Sequence, residues 1–120
     1  MSDVAKQIRL EAAILARRKK ARSVKFSREA PCEWQPQAVN DPKTGTVFTR
    51  DGAWEFIAGK LEDKNQSVRW VELRKPPGKK AFQMIVGHSD GDIYIKFQLG
   101  AGKIKGRSFH YSTRKGNQDT

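Results

Sequence analysis

A run of alternating residues in the last third of the chain constrains its fold most strongly. In Ile93–Leu99, apolar residues alternate with Tyr, Lys and Gln, which is the period-two pattern of a half-buried β-strand. After a turn at Gly100–Gly102, a second strand carries Ile104 and Phe109 as its clearest core residues. Because these two residues are five positions apart, they face the same side only if the strand slips by one residue. Gly106 lies between them and predicts a β-bulge that supplies this slip.

The predicted bulge turns the polar side chains of both strands toward one open face of the sheet. Strand residues two apart share a face, so polar residues of the two strands line up there. A solvated face without function is the alternative explanation, because antiparallel sheets commonly expose one side to water. The predicted face consists of Tyr94, Lys96, Gln98, Ser108 and His110, with Arg107 beside it.

The charge of the chain indicates a polyanionic partner. The 120 residues carry a formal charge of +11, and the isoelectric point is about 10.1. Both ends are basic: nine Lys or Arg residues against three acids occur in the first 30 positions, and six against two from Asp92 onward. A charge excess of this size favours binding to nucleic acid and gives no information about the fold.

Cysteine and histidine usage excludes several kinds of site. Cys32 is the only cysteine, and His88 and His110 are the only histidines. An intrachain disulfide and a cysteine-based zinc site are therefore excluded, and no metal or other cofactor is expected. No apolar run has the length of a membrane span, and the first residues lack the apolar core of a secretory signal. The cytoplasm is the expected location, without membrane association.

Two helices are predicted before the sheet. The clearer one, from about 50 to 63, repeats apolar residues at helical spacing, and Thr49 or Asp51 caps its N-terminus. The other, over residues 3–22, ends in a basic run that suits the negative end of the helix dipole or contacts phosphate. Its predicted apolar stripe consists of Val4, Ile8, Ala12 and Leu15.

The fold class that follows is α+β: an N-terminal helix, a second amphipathic helix, then a four-stranded antiparallel sheet. Strands over 68–73 and 81–86 precede the two described above, and the short connections favour a meander. The predicted organisation is a basic N-terminal helix or arm over 1–25, a single α+β domain over 26–112, and a disordered tail over 113–120.

The polar face has the residue types that cleave RNA without a metal ion. The reaction needs a base for the 2′-hydroxyl proton, an acid for the leaving 5′-oxygen, and cations for the charge on the phosphorane. His110 is the candidate proton carrier, because imidazole exchanges a proton near neutral pH, and Tyr94 is its candidate partner. Lys96 and Arg107 are the candidate cations. The candidate RNA-binding residues are Gln98, Lys105, Ser108, Lys79 and Lys80.

Three segments between about 48 and 111 carry a family resemblance. Trp70–Glu72 is a Trp-bearing strand before a basic loop that contains Pro76–Pro77, Gly91–Lys96 reads as a turn followed by hydrophobic-Tyr-hydrophobic-Lys, and Ser108–His110 closes the last strand. This order resembles the small ribonucleases of the barnase, EndoU, colicin and RelE fold. It is most similar to the motility quorum-sensing regulator (MqsR-type) toxins, which are mRNA interferases.

The resemblance implies an activity, a site and a partner. It implies a metal-independent mRNA-cleaving toxin of a type II toxin–antitoxin pair, with an acidic antitoxin protein as its partner, and it assigns Tyr94 as a catalytic tyrosine. The chain departs from the family pattern at two positions. His110 stands where the family has a closing Lys, and Val71 stands where it has a Gln, for which Glu72 is a candidate replacement.

Two hypotheses from different classes follow. The first is a metal-independent endoribonuclease that leaves a 2′,3′-cyclic phosphate. The second is a noncatalytic RNA- or DNA-binding or ribosome-associated protein that uses the same basic surface. RNA cleavage in EDTA that His110→Ala abolishes favours the first hypothesis. Salt-dependent binding of intact RNA that tolerates Tyr94→Phe favours the second.

Overall fold

The computed structural model describes residues 4–24, 33–73, 78–88 and 91–112. It confirms the α+β class. Helix α1 spans Lys6–Arg17 and helix α2 spans Arg50–Glu62, with short 3-10 turns at Lys19–Ala21 and Pro36–Ala38. The strands are β1 (Arg22–Ser23), β2 (Glu33–Trp34), β3 (Arg69–Glu72), β4 (Lys80–Val86), β5 (Ile93–Gly100) and β6 (Lys103–Tyr111).

The sheet is mixed, and the prediction of a purely antiparallel four-stranded sheet is wrong on this point. Strands β3 to β6 form the expected antiparallel meander. Strands β1 and β2, of two residues each, add to the outer edge of β6, and both run parallel to it. A two-residue strand has no side-chain period that a sequence pattern can reveal, so these pairings depend on tertiary contacts alone.

The predicted bulge is present between β5 and β6. Lys96 pairs with Ser108, whereas Phe97 pairs with Gly106, so Arg107 is the extra residue in β6. Because the register shifts at this point, Ile104 and Phe109 are both fully buried on the core face of the sheet, as predicted. On both strands, the residues that alternate with the core residues lie on the opposite face of the sheet, which is called the open face below.

Gly106 also makes room for an aromatic ring. A Cβ atom placed on Gly106 would lie 2.5 Å from a ring carbon of Trp34, a distance that real Cβ atoms do not reach. The Trp34 ring stacks on Trp54 of α2 with centroids 4.9 Å apart and lies 5.4 Å from the Phe109 ring. The glycine therefore allows β2 to anchor the sheet edge to the core through the Trp34 ring.

Helix α2 covers the core face of the sheet. Its N-cap is Thr49, one of the two caps that the sequence predicts, and its Oγ1 accepts a hydrogen bond from the backbone N of Gly52 at 2.9 Å. The helix ends within one residue of the expected position, where Asp63 takes an extended conformation. The buried residues of α2 are Ala53, Trp54, Ile57, Ala58 and Leu61.

Helix α1 packs on α2 through small residues, which differs from the predicted stripe. The helix ends at Arg17 because Arg18 is extended, so it does not reach residue 22. Val4 is buried before the helix begins, and Ile8 and Leu15 are only partly buried against the core. Alanine side chains allow two helices to approach closely but contribute little to a hydrophobic pattern. The buried residues of α1 are Arg9, Ala12, Ala13 and Ala16.

The buried Arg9 connects the two helices through the backbone. Its Nε donates to the carbonyl of Leu61 at 3.0 Å, and its Nη2 donates to that of Asp63 at 2.8 Å. The last carbonyls of a helix have no partner within the helix, and a cation near them also complements the helix dipole. Arg9 is thus a structural residue of the α1–α2 interface, which leaves it out of any RNA-binding surface.

Exposed ion pairs between α1 and α2 make the stability of the fold depend on pH. Arg17 contacts Glu55 at 3.3 Å and also pairs with Glu62. Hydrogen bonding from Arg17 holds the pKa of Glu62 below its usual value. In the same way, hydrogen bonding from Arg22, with help from Lys19, lowers the pKa of Asp51.

The lowered pKa values of Glu62 and Asp51 predict that the fold loses stability at acidic pH. A carboxyl group whose pKa is lower in the folded state stabilises the fold above its unfolded-state pKa, and this contribution disappears as the pH falls through the folded-state pKa. We expect the urea midpoint to fall between about pH 5 and pH 2, and Arg17→Met to make the decline shallower. Arg18→Met, at an exposed neighbour, is the control. Equal declines in both variants would contradict the assignment to Arg17.

Some predictions fall outside the described residues. These are the disordered tail over 113–120, Cys32, and the prolines of the basic loop before β4. Within residues 4–24, 33–73, 78–88 and 91–112, no helix combines the length and the apolar character needed to cross a bilayer.

Candidate active site on the open face of the sheet

Tyr94 and His110 lie directly opposite each other on β5 and β6. Their ring centroids are 5.4 Å apart and the rings are inclined by 41°. Two residues further along β5, Lys96 lies opposite Ser108, and its Nζ is 5.6 Å from the centroid of the Tyr94 ring. The structure therefore brings together three of the predicted catalytic residues on adjacent strands.

The surroundings of Tyr94 keep its hydroxyl neutral. Burial raises the pKa of Tyr94, and the negative charge of Glu33 raises it further. The hydroxyl donates a hydrogen bond to Oε1 of Gln83 on β4 at 2.8 Å. At neutral pH this side chain is a hydrogen-bond donor, and it is poorly suited to accept a proton as a base.

Two acceptors hold the ring of His110. Its Nδ1 donates to the carbonyl of Tyr111 at 2.8 Å. On the other side, Nε2 lies 3.2 Å from Oε1 of Glu33, which is an ion-pair distance when the ring is protonated, without the alignment of a hydrogen bond. Glu33 and His110 border a cleft of about 340 Å³. The described lining of this cleft is Glu33, Gln35, Ala38, Val39, His110 and Tyr111.

Glu33 is the site residue that the sequence analysis missed. Parallel pairing of β2 with β6 places Glu33 beside Ser108, and its side chain is 71% exposed. Nothing in the local sequence marks it, because β2 is only two residues long. Glu72, the acidic residue considered from the family pattern, pairs with Lys80. That register puts Glu72 on the face opposite to His110.

Arg107 is placed differently from what a phosphate clamp requires. It is the extra residue of the bulge, where the register with β5 steps from Ser108 to Gly106, and it is only 3% exposed. Ser108 is also buried, at 6% exposure. The predicted role of Arg107 in binding phosphate therefore has no support from its position, and Lys96 is the cation that the structure places near the Tyr94–His110 pair.

Gln98 and Lys105 lie at the far end of the open face. Lys80, by the alternation along β4, lies at the same end but on the opposite face. Gln98 pairs with Lys105, and its side-chain nitrogen is 3.4 Å from the carbonyl of Lys80. At about 3.3 Å per strand residue, Gln98 is roughly 13 Å from Tyr94. Lys79, Lys80 and Lys105 are exposed. They form a basic patch around that end of the sheet, on both of its faces, where they are positioned for contacts to a nucleic-acid backbone.

Comparisons of the chain with protein-family models, with curated proteins and with solved structures found no match. In the part of the chain that the structure describes, no group of three or more His, Cys, Asp or Glu side chains is arranged to hold a metal ion. What the geometry brings together is a histidine between a carbonyl and a carboxylate, a neutral tyrosine hydroxyl, and an ammonium group. This set contains groups for proton transfer and for stabilising negative charge.

Proposed function

We propose that this protein is a metal-independent endoribonuclease that cleaves single-stranded RNA and leaves a 2′,3′-cyclic phosphate. The observation that carries the proposal is that Tyr94 and Glu33 lie beside His110, while the ammonium group of Lys96 lies over the Tyr94 ring. The side chains come from three strands, so the β6 bulge and the parallel pairing of β2 are both needed to assemble them.

The proposed reaction uses each group once. The 2′-oxygen loses its proton and attacks phosphorus, the bond from phosphorus to the 5′-oxygen breaks, and the 5′-oxygen gains a proton. The carboxylate of Glu33 takes the proton of the 2′-hydroxyl, and His110 gives a proton from Nε2 to the leaving 5′-oxygen. Nε2 of His110 is buried and lies 3.2 Å from the carboxylate of Glu33, so the exposed side chain of Glu33 must swing aside for the phosphodiester to enter between these two groups.

Tyr94 and Lys96 act on the phosphorane in this proposal. The Tyr94 hydroxyl turns its one proton from Oε1 of Gln83 to a phosphoryl oxygen, and the ammonium group of Lys96 compensates the charge that develops there. The raised pKa of Tyr94 supports this donor role. It argues against the general acid–base role as partner of His110 that the sequence suggests for this tyrosine.

The resemblance to MqsR-type toxins extends the proposal to a biological context. An mRNA interferase of this kind would be neutralised by an acidic antitoxin protein. The charge of +11 and the exposed basic patch of Lys79, Lys80 and Lys105 support both RNA and an acidic protein as partners. An acidic protein that blocks RNA cleavage at equimolar concentration is the expected regulator.

The direct test is incubation of the purified protein with single-stranded RNA in excess EDTA. We expect cleavage to continue, with products that carry 2′,3′-cyclic phosphate and 5′-hydroxyl ends, identified by mass spectrometry. Products with a 3′-hydroxyl and a 5′-phosphate, or no cleavage of any RNA including ribosome-bound mRNA, would refute the proposal.

A noncatalytic RNA-binding protein is the second candidate, and the basic patch is the observation that favours it. The patch lies roughly 13 Å from the Tyr94–His110 pair by strand spacing, so RNA binding there does not need the catalytic groups. This candidate requires that the protein bind RNA tightly, leave it intact, and tolerate Tyr94→Phe without loss of affinity.

A further inference from the structure

A second concave surface lies on the core-facing side of β2, away from His110. It is a groove of about 940 Å³ between the β1 segment and the start of α2. We call it the β1–α2 groove. The lining residues used below are Lys19, Arg22, Trp34, Pro36, Arg50 and Asp51.

The described lining of the groove has a net positive charge. Lys19, Arg22 and Arg50 face one acid, Asp51, which lies 2.7 Å from Arg22 and 3.4 Å from Lys19. The Arg22 side chain is 9% exposed and also donates to the carbonyl of Ala16 at 2.7 Å, so it is fixed in position. Lys19 is 77% exposed, and an exposed pair of this kind is weak enough to yield to another anion.

Arg50 is the cation available to a ligand in this groove. It is exposed, and its side chain makes no hydrogen bond or ion pair with the described parts of the chain. The neighbouring Asp51 is committed to Lys19 and Arg22. A guanidinium group that is exposed and not neutralised, next to a second mobile cation, suits a phosphodiester group.

The groove also has an aromatic wall. Trp34 is partly buried and lines the groove next to Pro36. The Trp34 ring is stacked on Trp54 and packed against Phe109 and Gly106, so a base contacts the part of the indole that remains exposed, and contacts of bases with tryptophan depend little on sequence. A surface with cations on one side and an indole on the other matches a nucleotide, whose phosphate and base have these two chemistries.

The groove is connected to the proposed active site through a single strand. Glu33 and Trp34 are consecutive residues of β2, so their side chains point to opposite sides of the sheet. Glu33 borders the cleft at His110, whereas Trp34 borders the groove. Strand β2 pairs only with β6 among the described strands. A nucleic-acid chain that crosses this edge therefore reaches both sites.

We infer that the β1–α2 groove is a second nucleotide-binding subsite for the RNA strand, with the phosphate held by Arg50 and Lys19 and the base placed against Trp34. The inference rests on the proposed function, because it takes RNA as the ligand of the neighbouring site. It adds a contact outside the site of cleavage, on the other side of the sheet edge.

The test uses a short single-stranded DNA, which lacks the 2′-hydroxyl and cannot be cleaved by the proposed reaction. Arg50→Glu should weaken its binding about three- to tenfold and reduce the slope of log K against log salt concentration by about 0.7. An acidic residue in the first turn of α2 is favourable for the helix dipole, so the variant should fold. Binding is measured by fluorescence anisotropy at several salt concentrations.

Lys64→Glu is the matched control, because it makes the same change of charge elsewhere. Lys64 is exposed and lies beyond the other end of α2, about 20 Å from Arg50 at 1.5 Å per helical residue. An equal loss of affinity in both variants would mean that only net charge matters, and it would overturn the subsite.

The position of the base is tested separately by photocrosslinking. DNA with 5-bromodeoxyuridine should crosslink to Trp34, located by mass spectrometry of the digested protein. Crosslinks at other residues only, or equally strong binding of inorganic tripolyphosphate to the groove, would overturn the base contact.

The outcomes for the subsite and for the proposed activity can be told apart. Intact RNA together with a specific effect of Arg50→Glu would refute the ribonuclease and support the groove. Cleaved RNA with no difference between Arg50→Glu and Lys64→Glu would leave the ribonuclease in place and refute the groove.

Discussion

His110→Ala is expected to lower the rate of RNA cleavage by about 10²- to 10⁴-fold, the usual contribution of a general acid or base. The loss should appear in kcat and in kcat/KM alike, because a proton transfer is made in the transition state and not in the bound ground state. The affinity for uncleavable DNA should change little. Single-turnover cleavage of a labelled RNA in EDTA measures both effects.

His88→Ala is the matched control, because His88 is the other histidine of the chain. Its Nε2 donates to the backbone carbonyl of Asn40 at 2.9 Å, and its ring contacts Tyr111 edge-on with centroids 6.0 Å apart. The His88→Ala variant should therefore be less stable than the wild type, but it should still cleave RNA below its melting temperature. Equal cleavage by wild type and His110→Ala would refute the assignment, and so would loss of activity in folded samples of both variants.

Gly106→Ala is expected to destabilise the fold by about 3 kcal/mol, at the upper end for overpacking a core. The added Cβ would lie 2.5 to 2.7 Å from three ring carbons of Trp34. That ring cannot move aside easily, because it is stacked on Trp54 and packed against Phe109. Urea denaturation measures the change in the free energy of unfolding.

Two further variants test the cause of this loss. Gly59→Ala, in α2, places a Cβ with no atom within 4 Å, so it should stabilise the fold by about 0.5–1 kcal/mol. In a Trp34→Leu background, Gly106→Ala should cost much less, because the two substitutions share one contact. A penalty of unchanged size in that background would show that the indole ring is not the obstacle.

The parts of the fold that sequence could predict are those with a local period. The alternation in Ile93–Leu99 and the five-residue separation of Ile104 and Phe109 required both the hairpin and its bulge. Thr49 identified the start of α2 because an N-cap is a contact within one turn of helix. Each of these features depends on neighbours in the chain, so a pattern can reveal it.

The parts that sequence could not predict depend on distant partners. Strand β2 is recognisable only from its pairing with β6. Glu33 and His110 are in contact, but most of the sheet lies between them in the sequence, so no local pattern connects them. Helix α1 buries alanines and an arginine, and these residues contribute no hydrophobic signal. The burial of Arg107 could not be predicted, because residue order does not indicate where the extra side chain of a bulge lies.

The two-residue strand β2 has a consequence for how activity would respond to heat. Trp34 is held in the aromatic core, and the residue before it is held at His110. The backbone N of Gln35 donates to Phe109 at 2.8 Å just beyond the strand. So short a segment can detach in a partial opening that leaves the meander of β3 to β6 intact. The packing of one indole would then set the temperature at which the proposed RNA cleavage is lost, below the temperature at which the protein unfolds.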